Sequence, residues 1–281
     1  MLCGADPSLD GSRSLDGAQA QEVCMKRWLE TLRRYRLLLI LGTFGIWMCV
    51  DPIWIELAPS WPFFLKGLQT TAVYSTIGVA LGLMMGGCLA ALRLAGGVAA
   101  FASSTLVAAT QAVPPLFIIS AAYLVSPEIL PFRVTPAQAA VFALAMIGGS
   151  YYCEALRSAI AGVERLQVDA ADITGLSRRV VFTRIVLPQA LVSCVPALGA
   201  ISIVVFKLST LLYPLGITDF FRTSVLINNR VIAPLHCYAL IAAFYYVVSD
   251  LLQSFIAWVS SRISGKRPKP HDIHESPLTV G

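Results

Sequence analysis

Long apolar runs recur along the chain, and the short stretches between them carry most of its charge. A bilayer core about 30 Å thick takes about 20 apolar residues in a helix that rises about 1.5 Å per residue. On that measure six runs predict transmembrane helices: Leu37–Ile55, Phe63–Leu92, Val98–Val125, Pro136–Leu156, Gln189–Tyr213 and Cys237–Val259. The second would be about 45 Å long if straight, which predicts a helix that tilts or protrudes. Pro114 and Pro115 predict a kink or break in the third. Between the fourth and fifth runs lies a stretch of another kind, Arg157 to Pro188. It holds Arg157, Glu164, Arg165, Asp169, Asp172, Arg178, Arg179 and Arg184. Charge that dense does not lie in lipid, so a solvent-exposed loop with short helices is predicted.

Gly78, Gly82 and Gly86 recur every fourth residue and share one face of the second helix. Such a stripe lets helix backbones approach closely, and packing is its simplest role. Composition agrees with a membrane domain, since 57% of the 281 residues are hydrophobic and 13% charged, against about 25% charged in soluble domains. The mean hydropathy is +0.72. The formal charge of +5 sits at the ends of apolar runs and forms no basic stripe, which argues against a nucleic-acid partner. Its distribution gives an orientation instead. Of 21 Lys and Arg, sixteen fall on the side of the N-terminus, while Lys66, Arg133, Arg222 and Arg230 fall on the other and Lys207 lies within a span. Excess basic residues stay in the cytoplasm, so the N-terminus and the 157–188 loop are expected inside and Pro214–His236 outside. Trp47, Trp54 and Trp61 follow the first span as an outer aromatic belt would.

Catalytic signatures are missing. No G-x-x-x-x-G-K-[ST] phosphate cradle occurs, so no ATPase site is expected in this chain. No G-x-S-x-G elbow is present, and His236, His271 and His274 lack metal-ligand spacing. The seven cysteines are scattered and odd in number, which indicates neither a disulfide framework nor a metal cluster.

The charged stretch contains Asp169, Ala170 and Ala171, then Gly175, then Ile185, Leu187 and Pro188. Val168, Ala171 and Leu176 can share one face of a short helix flanked by Asp169 and Asp172, and Gly175 suits the left-handed residue that ends it. This string resembles the cytoplasmic signature of ABC importer permeases, E-A-A, three residues, Gly, nine residues, I-x-L-P, with every spacing kept. The resemblance covers roughly Phe64 to Arg262 and is similar to the polar amino acid branch in FFLKGLQTTAVYSTIGVALGLMMGGCLAALRL, LAMIGGSYYCEALRSAI and LPQALVSCVPALGAISIVVFKLSTLL.

It implies an all-α polytopic bundle of the type I importer class, a five-helix core (64–262) with an additional N-terminal span (37–55). Polar tails at 1–36 and 263–281 would flank them in the cytoplasm of a bacterial inner-membrane protein. It also implies that the 157–188 loop carries a coupling helix seated on an ATP-binding partner, with Asp169, Ala170, Ala171, Gly175, Ile185, Leu187 and Pro188 as coupling residues. The implied partners are a dimer of ATP-binding subunits, which hold the ATP and Mg, a periplasmic solute-binding protein, and a second copy or a homologous permease. The solute would be a polar amino acid or a close derivative such as an opine.

Candidates for the translocation path are Lys207, Ser209, Thr210 and Gln111. A lysine at the bilayer centre costs at least about 2.5 kcal/mol unless it snorkels, pairs or meets water, which favours a cavity-facing or structural role. Ser209 and Thr210 can also bond back to their own helix. Gln111 stands where relatives often have Arg, and Leu208 where they have an acidic or amide residue. Glu154 and Arg157, three apart, are expected to pair, and Asp219 and Arg222 to be solvated outer-loop charges. An ion-coupled secondary carrier is the alternative, and it would need broken inverted repeats with acidic midplane residues. An integral membrane enzyme would need a clustered nucleophile or metal set.

Overall fold

A computed structural model describes residues 42–45, 47, 50–129, 131, 133–163 and 175–264. The chain divides into two compact units, Met1–Pro59 and Ser60–Gly281. In the first, residues 42–45 are helical and α1 (Ile53–Leu57) follows a break at Asp51 and Pro52. Asp51 Oδ1 accepts the amide of Ile53 at 3.2 Å as the helix restarts. Trp47 packs edge-on against Phe44 and Trp54 at 5.9 and 5.4 Å between ring centroids. Much of the expected span Leu37–Ile55 lies outside the described residues.

The second unit contains α2 (Trp61–Ala95), α3 (Gly97–Ala112), α4 (Pro115–Leu124), α5 (Ser126–Ile129), α6 (Pro136–Ala161) and α7 (Arg178–Val181). A π-turn (Phe182–Val186), α8 (Leu187–Leu208), a 3-10 segment (Ser209–Leu215), α9 (Phe220–Val231) and α10 (Pro234–Ser264) complete it. No strand occurs among the described residues. Four of the described helices are long and apolar enough to cross a membrane, and a fifth span results if α3 and α4 count as one. Those two meet at 105°. Pro114 and Pro115 cannot donate backbone hydrogen bonds, so the ladder is interrupted there and the predicted kink becomes a sharp bend.

The core is the α2–α6 pair. Gly78, Gly82 and Gly86 are all buried, as the stripe predicts. A Cβ on Gly86 would stand 2.5 Å from Tyr152 Cβ and 2.9 Å from the Gly149 carbonyl oxygen, and one on Gly78 would stand 2.9 Å from Leu144 Cβ. The absent side chains are what let the two backbones meet. α2 ends at Gly96 and Gly97, with φ +77° and +58°, where the chain turns into α3.

Two boundaries shift. The 157–188 stretch, expected as an exposed loop with short helices, is helical at both described ends: α6 runs past Leu156 to Ala161, and helical structure resumes at Arg178, ahead of Gln189, and continues into α8. Arg157 is held by Glu154, and Arg178, Arg179 and Arg184 stay exposed, so charge does not stop these helices. Pro214–His236 is not a simple loop either, because α9 folds back within it with Asp219 as its N-cap.

Candidate functional site

The stretch expected to carry the coupling helix is anchored at the end of α6. Glu154 Oε2 lies 2.5 Å from Arg93 Nη1 at the end of α2, and Glu154 Oε1 accepts Arg157 Nε at 2.9 Å. The expected Glu154–Arg157 pair is present, and Arg93 joins it across 61 positions of sequence. Val181 and Val186 are buried beside Ile160 and Val163, so the returning strand of chain rests on the end of α6.

Asp169, Ala170 and Ala171 lie outside the described residues. Gly175 takes φ +77°, the left-handed conformation that a Cβ disfavours, with open space where a Cβ would be. Ile185 packs on the Val181–Val186 cluster. Leu187 opens α8 with Pro188 as its second residue. Pro188 lacks an N–H and its ring crowds the carbonyl four residues back, so the turn before it widens. The Leu187 amide accordingly bonds to the Phe182 carbonyl, five residues back. The I-x-L-P string thus marks a π-turn.

Lys207 is exposed in the last turn of α8, where the helix tightens into the 3-10 segment. Ser209 Oγ is buried and donates to the Phe206 carbonyl at 2.8 Å, and Thr210 Oγ1 donates to the Lys207 carbonyl at 2.9 Å. Both hydroxyls are therefore engaged three residues back. Gln111 bonds from Nε2 to the Ser150 carbonyl at 3.3 Å, tying α3 to α6. Tyr152 and Ser202 join α6 to α8 through a hydroxyl pair at 2.8 Å, a link that sequence reading missed because nothing local marks it.

The opposite end of α2 holds a polar cluster. Asp219 is 0% exposed, not solvated as expected, and its Oδ1 accepts the Arg222 amide at 2.8 Å. The Phe220 amide donates to Thr71 Oγ1 at 2.9 Å. The Phe220 ring packs tilted at 44° against Phe244, with centroids 4.3 Å apart, and a Cβ on Gly67 would collide with Thr223. Burial pushes the Asp219 carboxyl up to about 6, against the opposing pull of the Arg222 and Phe221 amides and the Arg222 charge.

The sequence profile of the family described as "Binding-protein-dependent transport system inner membrane component" matches residues 78–265. The chain belongs to this family. It is the inner-membrane permease component of a binding-protein-dependent importer. It is 28% identical over 217 residues to the glutamate/aspartate import permease protein GltK of Escherichia coli O6:H1, covering 74% of this chain and 97% of that one. It is 31% identical over 185 residues to the glutamate transport system permease protein GluD of Corynebacterium glutamicum, covering 64% and 68%. Among solved structures, one of an amino acid ABC transporter with histidines superposes with a TM-score of 0.71 at 24% identity, over 76% of this permease and 99% of that chain. This last likeness bears on the fold, which is the type I importer bundle.

Proposed function

We propose that this permease moves a polar amino acid, of the acidic or amide class handled by the relatives named glutamate/aspartate and glutamine permeases, through a path shared with a second permease subunit. Two ATP-binding subunits, which hold the ATP and Mg, act on the coupling residues Asp169, Ala170, Ala171, Gly175, Ile185, Leu187 and Pro188. A periplasmic binding protein delivers the solute. The N-terminus and the coupling segment face the cytoplasm, in keeping with the basic residues gathered there. The core is 64–262, with 37–55 as an additional span. Membership in a binding-protein-dependent family sets the ion-coupled carrier aside.

The observation that carries the coupling reading is the left-handed Gly175 followed, at the spacing the signature requires, by a π-turn locked onto the end of α6. A push on this segment is transmitted to α6 and α8 together, because both Ile160 and Val186 belong to one cluster. Lys207, Ser209, Thr210 and Gln111 remain the candidates for the path. The Lys207 ammonium is the group suited to meet a solute carboxylate.

Replacing Gly175 with Asp tests the coupling role. Uptake is expected to vanish and recovery of the ATP-binding partner to fall, with membrane insertion intact; full uptake with normal partner recovery would remove Gly175 from coupling. The solute class is tested in proteoliposomes by ATPase stimulation with the cognate binding protein and a panel of glutamate, glutamine, arginine, sugars and oxyanions. Stimulation by a sugar or oxyanion alone would overturn the amino acid assignment.

A further inference from the structure

At the end of α2 that carries Arg93, a cavity of about 350 Å³ opens between α2, α3 and α6. At roughly 30 Å³ per water, it has room for about ten waters or one compact headgroup. Arg93 and Arg157 line it from two helices, and Leu94, Phe101 and Ile160 supply an apolar wall. The two guanidiniums share one carboxylate, Glu154, so among the described residues the cluster keeps one surplus positive charge. Ala100, in the first turn of α3, also lines it, with its amide bonded to the Gly96 carbonyl at 3.3 Å. That end of the helix adds a favourable potential for an anion. Phe101, 73% exposed, projects from α3 beside these charges.

We propose that this cavity binds an anionic phospholipid, its phosphodiester held by Arg93 and Arg157 and an acyl chain lying along Leu94 and Phe101. A soluble anion would account for the two guanidiniums but not for the exposed aromatic and leucine beside them. A neutral lipid would account for the apolar wall but leave the surplus charge unmatched. Arginines suit the role because a planar guanidinium can grip two phosphate oxygens at once. Basic pockets between spans near the membrane surface are where anionic headgroups are held. The same two arginines brace α2 and α6 through Glu154, so an occupied pocket ties α2, α3 and α6 together at that point.

The test is native mass spectrometry of the full-length permease in detergent, with phosphatidylglycerol or phosphatidylcholine of identical acyl chains added in turn. Phosphatidylglycerol adducts are expected to exceed phosphatidylcholine adducts by about fivefold, the factor one basic contact contributes. Arg157→Gln removes that preference, and Phe101→Ala weakens retention of both lipids. Arg262→Gln deletes the same charge away from the cavity and keeps the preference. Arg157 is 49% exposed on its side chain and Glu154 retains Arg93 in the variant, while Phe101 provides a second readout that leaves the ion pairs alone. Equal adducts of the two lipids, or equal losses in Arg157→Gln and Arg262→Gln, overturn the proposal. Displacement of phosphatidylglycerol by inorganic phosphate, together with no effect of Phe101→Ala, assigns the cavity to a soluble phosphate and overturns the lipid.

Discussion

The two ends of α2 solve the problem of charge in opposite ways. Thr71 and Arg93 are 22 residues apart on one helix, about 33 Å along its axis. At Arg93 three charged groups meet where water still reaches them, with side-chain exposures of 19%, 37% and 49% for Arg93, Glu154 and Arg157. At Thr71 a single carboxylate, Asp219, is fully buried and aromatic rings close over the neighbouring residue. An exposed network gives a modest, salt-dependent brace that can rearrange. A buried cap with one carboxylate oxygen unpartnered costs desolvation and persists only because packing enforces it. The difference leaves the Arg93 end free to rearrange while α9 stays fixed on the bundle.

The sharpest way to break the contrast is Gly67→Leu. A Cβ there would come within 2.5 Å of Thr223 Oγ1 and 3.0 Å of the Asp219 carbonyl. Overpacking a tight contact costs about 1–3 kcal/mol and more when backbone is in the way, so the variant is expected to yield no monodisperse protein in detergent. Gly87→Leu, which meets nothing within 4 Å of a Cβ, should elute as the wild type does.

Thr71→Val comes next. It keeps the shape and deletes the acceptor of the Phe220 amide, 149 residues away. An orphaned buried donor costs about 1–3 kcal/mol, to be read as a lowered Tm of the detergent-solubilised permease. An unchanged Tm would mean that packing alone seats α9.

Asp219 gives a smaller effect with a definite sign. The folded carboxyl holds its proton up to about 6, whereas the ordinary value is 3.8. Between those values the folded state binds the extra proton, so stability is fully present below the lower value and is lost as pH rises through the upper one. The whole window is worth about 3 kcal/mol, of which roughly 1 falls between pH 5 and 7.5. Wild type should therefore show a Tm that falls from pH 5 to 7.5 relative to Asp219→Asn, which keeps the acceptor for the Arg222 amide. A parallel response in both proteins would place the titrating group elsewhere.

How much of this was readable in the sequence depends on how local each cause is. The glycine stripe, the Pro114–Pro115 break and the left-handed Gly175 are set by residues close in sequence, and the expected features are present. The I-x-L-P string was legible as a signature, but the π-turn follows from what Pro188 denies its own helix. Asp219 was misread because its burial is decided by Gly67, Thr71 and Phe244 on other helices, and an N-cap aspartate looks the same in sequence whether solvated or enclosed. Arg93 was counted for orientation alone, since its partner Glu154 lies 61 positions on. Charges in the 157–188 stretch set the ends of the flanking spans at Leu156 and Gln189, whereas the helices run on to Ala161 and begin at Arg178, because exposed arginines decorate a helix as readily as they decorate a coil.

The smallest expected effect belongs to the brace, and it sharpens the comparison most directly. Glu154→Gln removes the charge that Arg93 and Arg157 share but leaves an amide oxygen for one of them to bond. Partly exposed ion pairs are worth about 0.2–1 kcal/mol each and lose side-chain entropy to form. Since one guanidinium keeps a neutral partner, the net loss should stay below about 1 kcal/mol at low ionic strength. Screening then distinguishes the two ends. The Debye length falls from about 30 Å at 0.01 M salt to about 3 Å at 1 M, so a water-reached brace should lose its advantage over Gln at the higher salt, while the Thr71→Val deficit should not move. Parallel melts of wild type, Glu154→Gln and Thr71→Val at those two salt concentrations read this out. A Glu154→Gln loss of about 3–5 kcal/mol that ignores salt is the mark of a buried pair losing one partner, and it would mean that both ends of α2 are built alike.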